Sequence, residues 1–305
     1  MNYKVLFIYI SLLCSITLQE MYDNAESGFG YDKYIELDRN QIYTGGIGIY
    51  EGSTYIQGNG AVLDLENQNG IWIYSDQNSE ASLDIQYLSI INGAYEGISY
   101  SGDATGNIIN CNFINNDYGI KVYDTCTLNI TNCNFIDNTS LGFGIVGDPA
   151  SNSVLSNVDL SYSNFWNNGD DILENCPGWG SVWSPWEAEE DCAGLLENNP
   201  LFIDSNNYNY EYSNSSPCID SGNPNLLDPD NTISDIGANF YNQSTDCAID
   251  GDINNDNIVN ILDVVETVNL ILFMSGEYLE CADMNEDGTI NVIDIINLVN
   301  TILNR

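Results

Sequence analysis

A repeated unit of roughly 22 residues runs through the middle of this 305-residue chain. Its clearest copies begin with the segments Tyr87–Gly93, Cys111–Asp117 and Cys133–Thr139, each an apolar run followed by asparagine and a turn residue. Phe113 and Phe135 occupy the same place in two successive copies. A fixed period in the low twenties, built from short apolar runs and asparagine-rich turns, is typical of a solenoid of stacked coils.

A second short element follows each copy, at Gly97–Ile98, Gly119–Ile120 and Gly144–Ile145, and a further copy at Tyr162–Asn168 comes after a longer insertion. Leucine-rich repeats have a similar length, but their helical half and their leucine spacing are missing here. A β-sandwich would show strands without a fixed period. The spacing therefore predicts a parallel β-helix.

The stacking of equivalent positions predicts part of the interior. Asparagines at matching places in successive coils should hydrogen-bond to one another in a ladder. Cys111 and Cys133 also match, and we expect buried free thiols there, because cysteine packs as a small hydrophobe. We predict a mainly β fold with the β-helix over residues 47–242 and a lead-in over residues 20–46.

The charge balance restricts the partners of the chain. It carries 45 acidic residues against 5 basic ones and has no histidine. Such a field repels phosphate backbones and anionic lipid, so it argues against nucleic acid and the inner membrane leaflet, and it attracts divalent cations. Catalysis by a serine–histidine or cysteine–histidine pair is excluded. Apolar residues make up 43% of the chain, which favours a folded protein over a disordered one.

Residues 1–19 have the pattern of a secretory signal peptide. Lys4 supplies the positive flank, and Val5–Leu13 form an apolar run that is too short to span a bilayer. Cys14 suggests a lipoprotein, but Leu13 stands where a lipid-modified cysteine needs a small neighbour. The eight later cysteines suit export, because disulfides persist outside the cytoplasm. We expect a secreted or cell-surface protein without a membrane span.

After a linker at residues 243–246, two acidic loops appear, each followed by a helical apolar stripe. The segment Asp252–Leu272 aligns without gaps on Asp283–Leu303. Oxygen donors then occupy positions 1, 3, 5, 7, 9 and 12 of a twelve-residue, EF-hand-like calcium loop in both copies. The predicted ligands of two Ca²⁺ ions are Asp252, Asn254, Asp256, Ile258 (carbonyl), Asn260 and Asp263, and Asp283, Asn285, Asp287, Thr289 (carbonyl), Asn291 and Asp294.

Each loop continues into a predicted helix. Apolar residues at helical spacing should pack the two helices together as a small twofold core. These residues are Ile261, Val264, Val265, Val268 and Leu272, and Val292, Ile295, Ile296, Val299 and Leu303. Gly288 provides the sharp turn at position 6 of the second loop, where the first loop has Asn257. Cys247 and Cys281 precede the two loops symmetrically and are candidates for a disulfide.

A duplicated loop and helix, with aspartate rather than glutamate at position 12, resembles the type I dockerin family over residues 247–305. The resemblance implies calcium-dependent docking onto a cohesin module of a scaffold or cell surface. In the family the contacts lie mainly at loop positions 10 and 11, which here are Ile261, Leu262, Val292 and Ile293. Those positions often carry hydroxyl groups in the family. The apolar residues here leave two partners open, a cohesin-like module or the β-helix of the same chain.

The segments Asn199–Asp204, Ser216–Pro224 and Asp235–Ala238 resemble the end of secreted, right-handed parallel β-helix proteins of the pectate-lyase-like type. Proteins of this kind often handle polysaccharides, as lyases, hydrolases or binding surfaces. Their lyases commonly need a basic residue beside calcium. The basic residues that follow the signal stand in no suggestive cluster in the sequence; they are Lys33, Arg39, Lys121 and Arg305.

Two further features bear on carbohydrate chemistry. Asp170 and Asp171 are faintly similar to the paired aspartates of inverting polygalacturonase-like hydrolases, but the accompanying histidine and basic pair are absent, which favours turn residues. Cys176 and Cys192 are candidates for a disulfide. They enclose three tryptophans that either bind sugar rings or, as we favour, cover a groove or an end of the solenoid: Trp179, Trp183 and Trp186.

Two functions follow from these patterns. The one we favour is a non-catalytic secreted β-helix that binds polysaccharide or serves as a surface or matrix component, attached through the calcium-dependent module. The alternative is a polysaccharide-degrading hydrolase or lyase that uses carboxylate chemistry.

Overall fold

The computed structural model describes residues 16–123, 125–146, 157–169, 179–181, 194–243, 249–254, 258–273, 280–285 and 287–304. The chain divides into two compact units, Met1–Tyr241 and Asn242–Arg305. The strands are β1 Ile16–Thr17, β2 Glu26–Gly28, β3 Tyr31–Glu36, β4 Ile42–Thr44, β5 Gly48–Ile49, β6 Gly52–Asp64, β7 Ile71–Ser75, β8 Ala81–Ile91, β9 Glu96–Gly102, β10 Thr105–Ile109, β11 Asn112–Ile114, β12 Tyr118–Tyr123, β13 Thr127–Thr131, β14 Asn134–Ile136, β15 Leu141–Val146, β16 Asn157–Ser161, β17 Asn164–Trp166, β18 Trp179–Ser181, β19 Phe202–Asp204 and β20 Asn209–Tyr212. The helices are α1 Leu18–Asn24, α2 Ile261–Phe273 and α3 Val292–Leu303, with 3₁₀ turns at Ser205–Asn207 and Glu280–Ala282.

The first unit is a β-solenoid of about six coils, whose strands pair with the coils before and after them in parallel register. We number the coils 1 to 6, beginning with β3, β6, β8, β10, β13 and β16. Each coil has three faces. The first face holds β3, the first halves of β6 and β8, and then β10, β13 and β16. The second face holds β4, the second halves of β6 and β8, and then β11, β14 and β17. The third face holds β5, β7, β9, β12, β15 and β18. The predicted mainly β solenoid is confirmed.

Equivalent asparagines form the predicted ladder along the second face. Asn134 Nδ2 donates to Asn112 Oδ1 at 3.0 Å, and Asn164 Nδ2 donates to Asn134 Oδ1 at 3.0 Å. All three side chains are fully buried, so each amide satisfies the neighbour that would otherwise lack a partner. A second ladder at the following turn contains Asn116, Asn138 and Asn168.

The interior stacks matching residues from coil to coil. Phe113 and Phe135 stack with ring centroids 5.2 Å apart, and Phe135 and Phe165 with centroids 4.6 Å apart. Cys111 and Cys133 are buried free thiols, as predicted. Burial raises the pKa of the Cys133 thiol well above its ordinary value, so this thiol stays protonated.

One predicted equivalence is wrong. Ile120 pairs with Phe143, and Lys121 pairs with Gly144, so Gly144 is not the counterpart of Gly119. The turn between β14 and β15 holds residues 137–140, whereas the matching turn of the preceding coil holds only residues 115–117. The extra residue shifts the third face of coil 5 by one place relative to its second face.

Residues 199–241 form a strap that covers the second face. Asn134 Nδ2 donates to Tyr212 Oη at 2.8 Å, and the Gly237 N–H donates to the Asn132 carbonyl at 2.7 Å. The strap also buries Tyr210 in an apolar cluster with one residue from each of four coils: Val62, Ile91, Ile114 and Ile136. The segments that resemble a β-helix end therefore shield this face from solvent.

The N-terminal end of the solenoid is closed by residues assigned above to the signal segment. β1 pairs with β4, placing Ile16 beside Tyr43, and Leu18 is fully buried in the solenoid core. Thr17 caps α1 in a capping box with Glu20. Since the fold uses residues 16–18, processing at residue 19 would remove part of the core.

The second unit contains α2 and α3, which contact each other. The predicted apolar core is only partly correct. The fully buried side chains are those of Asp263 and Thr267 on α2 and of Asp294 and Leu298 on α3. The two residues of each helix lie one turn apart and therefore on the same face. Six of the ten residues of the predicted stripe are exposed instead: Ile261, Val265, Leu272, Val292, Ile296 and Leu303. Val264, Val268, Ile295 and Val299 are half-buried.

Within the described part of the chain, no helix is long and apolar enough to cross a membrane.

Candidate functional site

Four carboxylates are buried in the second unit. Asp263 and Asp294 have no exposed surface, and Asp252 and Asp283 are 3% and 4% exposed. The sequence from residue 247 to residue 304 contains no lysine, arginine or histidine. A buried carboxylate is costly unless hydrogen bonds or a cation compensate its charge. Hydrogen bonds from amide groups or a bound cation can compensate the charge of these four.

The second loop folds around Asp283. Its carboxylate accepts hydrogen bonds from the Gly288 N–H at 2.6 Å and the Asp287 N–H at 3.1 Å. Gly288 has a φ of 80°, a left-handed conformation that glycine adopts without strain, and this turns the chain at position 6 as predicted. Asn285 Oδ1 and Asp287 Oδ1 accept from the amides of residues 287 and 289, so the polar side chains of positions 1, 3 and 5 all line this turn.

The position-12 aspartates have the same place in both loops. Asp263 Oδ2 accepts from the Asn260 N–H, and Asp294 Oδ2 accepts from the Asn291 N–H, each at 2.8 Å. The second oxygens differ. Asp263 Oδ1 accepts from the Ile253 and Asn254 amides at 2.9 and 3.2 Å. Asp294 Oδ1 is buried and has no hydrogen-bond partner among the described residues. A buried charged oxygen without a donor is the atom that a bound cation would satisfy.

The donor set suits a hard cation. Among the described residues, no three carboxylate or thiol side chains form a metal-binding cluster by themselves. Calcium loops, however, also use side-chain amide and backbone carbonyl oxygens, and the second loop offers Asn285 and the Thr289 carbonyl in addition to its acids. Asp256 and Asn257 of the first loop lie outside the described residues. The residues present fit Ca²⁺.

The residues at loop positions 10 and 11 are exposed. Ile261 and Leu262 are 64% and 56% exposed, and Val292 and Ile293 are 61% and 53% exposed. Each pair opens a helix, because Asn260 Oδ1 and Asn291 Oδ1 accept from the amides of residues 262 and 293. The second unit thus presents two matching apolar patches, which is typical of a binding surface.

Comparison with known families agrees with both parts of the chain. Residues 250–303 match the Dockerin type I domain. The C-terminal unit is a type I dockerin domain. Such domains generally bind calcium and dock onto cohesin modules. Residues 28–176 match the right-handed β-helix region. A search of curated proteins found no match.

The β-helix that precedes the dockerin presents an ordered array of polar side chains on its first face. Two adjacent columns run from coil 3 to coil 6, with each residue beside its counterpart in the next coil. One column contains Ser82, Thr105, Thr127 and Asn157. The other contains Asp84, Asn107, Asn129 and Asp159. They line a cavity of about 430 Å³.

The third face holds a cluster that the sequence did not reveal. Lys121 Nζ lies 3.4 Å from Glu96 Oε1 and 3.9 Å from the Tyr118 ring centre, and Tyr123 Oη donates to Glu96 Oε1 at 3.1 Å. Burial lowers the pKa of Lys121, but Tyr123, Tyr118 and Glu96 together hold it above its ordinary value. Lys121 therefore keeps its proton, which makes it a poor general base. Glu96 lies in coil 3, and Tyr118, Lys121 and Tyr123 lie in coil 4. Their proximity depends on the register between β9 and β12 and could not be predicted from the sequence.

One of the candidate residues around the tryptophan-rich segment lies within the described residues. Trp179 belongs to β18, which pairs with β15. The other candidates around it, and two dockerin residues, lie outside the described residues: Asp170, Asp171, Cys176, Trp183, Trp186, Cys192, Cys247 and Asp256. Cys281 is buried. Both disulfides stay predictions, and so do the two alternatives for the tryptophans, the favoured covering of a groove or end of the solenoid and sugar binding.

Proposed function

We propose that this chain is a secreted protein in which a calcium-loaded dockerin domain attaches a polysaccharide-binding β-helix to a cohesin-like module. The observation that carries the proposal is the pair of buried position-12 aspartates at the start of two helices, Asp263 and Asp294, in a segment, residues 247–304, whose sequence contains no lysine, arginine or histidine. In this proposal the β-helix binds the polysaccharide, and the dockerin domain attaches the β-helix to the partner module.

Calcium has a specific task in this domain. Two sites take the twelve residues predicted above, and a bound Ca²⁺ neutralises carboxylates that the sequence leaves without a counterion. Asp263 and Asp294 each hold the loop that precedes them to the first turn of α2 or α3. A small domain has little apolar core, so binding energy at these loops adds directly to its stability. A bridge between Cys247 and Cys281 would stabilise it further.

The docking surface consists of the two exposed patches. Ile261 with Leu262, and Val292 with Ile293, replace the hydroxyl-bearing residues that are frequent at these positions in the family. A matching partner must therefore offer an apolar recess rather than hydrogen-bond acceptors. We favour a cohesin-like module of this character over the β-helix of the same chain.

Polysaccharide binding without catalysis suits the β-helix best. Among the described residues, Lys121 is held protonated against Glu96 and so does not serve as a general base. The polar first face offers hydroxyl, amide and carboxylate groups in regular rows. Export of the chain agrees with the extracellular setting that is typical of dockerin proteins.

Surface plasmon resonance on immobilised cohesin modules tests the docking. The full chain should bind in calcium and lose binding in EDTA. The double variant L262S/I293S should bind at least tenfold more weakly in calcium. The matched control L272S/L303S also removes two exposed apolar side chains, at the far ends of α2 and α3, and should bind like the wild type. Binding that persists in EDTA, or an equal loss in both variants, would contradict the proposal.

A further inference from the structure

The three faces of the β-helix differ in how far they are open to a large ligand. The strap covers the second face. On the third face, Trp72 and Tyr74 of coil 2 are 43% and 44% exposed, but Ser99, which pairs with Trp72 in the next coil, is only 8% exposed, so the open surface of this row is interrupted at coil 3. On the first face, Asn107, Thr127 and other outward residues of coils 4 to 6 are exposed. The first face is therefore the surface that a polymer can reach along the length of the solenoid.

The chemistry of this face is uniform along the solenoid axis. Each coil from 3 to 6 contributes two neighbouring side chains, and every one is a hydroxyl, an amide or a carboxylate. Strand spacing separates successive pairs by about 4.8 Å. A second cavity of about 530 Å³ adjoins the first at Ser82 and Thr105 and extends to Ser53 and Asp103. Such rows fit a ligand that repeats its own hydroxyl groups at a similar spacing.

Asp84, at one end of its column, is already held in place by hydrogen bonds. Asp84 accepts hydrogen bonds from Tyr31 Oη at 2.6 Å, from the Asn107 N–H at 2.8 Å and from Asn107 Nδ2 at 3.0 Å. Tyr55 occupies the place of Asp84 in the preceding coil, and its ring lies 5.1 Å from that of Tyr31. Tyr55 ends the Asp84 column at coil 2, whereas the Ser82 column continues through Ser53 of that coil into the second cavity.

Charge decides between classes of polysaccharide. The two cavities are lined by Asp84 and Asp159, and by further acids such as Asp32 and Asp103, and none of the described lysines and arginines lines either of them. A uronate polymer would be repelled from this surface. A protein partner is disfavoured as well, because the exposed part of the columns lacks the aromatic or apolar anchors that dominate protein interfaces.

We infer that the first face binds a neutral polysaccharide, which lies along the solenoid axis from Asp84 toward Asp159 with about one sugar unit per coil. The inference rests on the proposed polysaccharide-binding function and adds the surface and the ligand class. Carboxylates and amide oxygens accept hydrogen bonds from the sugar hydroxyls, and the serine, threonine and asparagine side chains donate to them.

Affinity electrophoresis and calorimetry with the full chain in calcium test this inference. The neutral probes are xylan, galactomannan and mixed-linkage β-glucan, and the anionic probes are polygalacturonate and alginate. The double variant N107A/N129A removes two amides from the middle of the groove and should weaken binding of a neutral probe about tenfold, equivalent to about 1.4 kcal/mol. The control N206A/N214A removes two exposed amides from the strap and should bind like the wild type.

A second variant separates loss of binding from loss of folding. T127Y places a larger side chain in the groove at an exposed strand position where tyrosine is well tolerated, so it should block the probe while leaving the thermal unfolding midpoint unchanged. Wild-type affinity in both N107A/N129A and T127Y would overturn the assignment of the face and leave polysaccharide binding intact. A preference for polygalacturonate would overturn the neutral class. Absence of binding to every probe would instead refute the proposed function of the β-helix.

Discussion

The substitution Asn134→Ala tests whether the asparagine ladder stabilises the solenoid. Asn134 is fully buried. Its Nδ2 lies 3.0 Å from Asn112 Oδ1, 2.8 Å from Tyr212 Oη and 3.2 Å from the Ile236 carbonyl, so its two N–H groups share three acceptors, and its Oδ1 accepts from Asn164 Nδ2 at 3.0 Å. It thus connects coils 4, 5 and 6 and fastens the strap to them.

The expected loss follows from these contacts. Each hydrogen bond contributes about 1 kcal/mol net. Three to four lost bonds and a small cavity together predict a destabilisation of about 4 kcal/mol, a large part of the roughly 5–15 kcal/mol that holds a typical domain folded. The control Asn206→Ala, on the exposed 3₁₀ turn of the strap, should change stability by less than about 0.5 kcal/mol.

Urea unfolding, followed by intrinsic fluorescence in calcium, measures the difference from the midpoints when the slopes agree. A loss of less than about 1 kcal/mol for Asn134→Ala would refute the reasoning, because a single net hydrogen bond is worth that much. The ladder would then be a by-product of stacking that adds nothing to stability.

Three other predictions concern the rest of the chain. In chelator, the circular dichroism of α2 and α3 should be lost while the β signal persists, because each site contributes about 2.7 kcal/mol when free calcium is a hundredfold above its dissociation constant; unchanged helix content would contradict this. Burial raises the pKa of Asp235 to about 7 and that of Asp228 to about 6, from an ordinary 3.8. The folded state therefore binds protons more tightly, and the free energy of unfolding should fall as pH rises from about 4 to 7. Asp235→Asn should flatten this dependence, and an equal slope would show that other groups cause it. Finally, mass spectrometry of the secreted protein should find its N-terminus at or before Ile16, and a start at residue 20 would contradict the closure of the solenoid by β1 and Leu18.

The sequence predicted what depends on repetition. The regular spacing of Phe113 and Phe135 reports stacking directly, because parallel coils place equal positions above one another. It could not predict the third face of coil 5, where one additional turn residue before Leu141 shifts the register without changing the asparagine pattern. Lys121 and Glu96 are distant in the sequence, and their meeting depends on the pairing of β12 with β9.

The dockerin domain shows the limit of periodicity. The spacing of apolar residues predicted two helices correctly, but it assigned Ile261 and Val292 to the core. In the structure the inner face is fixed by the position-12 aspartates, which are drawn inward by the amides of Asn260 and Asn291. The spacing of apolar residues cannot predict that a charged side chain such as Asp263 or Asp294 is buried. Which face of each helix is exposed could therefore be seen only in the structure.

The stoichiometry of calcium uptake tests the central claim most directly. Titration calorimetry of the full chain, purified from chelator, should give two Ca²⁺ ions per chain. D294N should reduce this to one, because it removes a charge at the buried oxygen that has no donor in the described part of the chain, whereas E266Q, which removes an exposed charge from α2, should keep two. No heat on addition of millimolar calcium, or equal uptake by the wild type and D294N, would contradict the account.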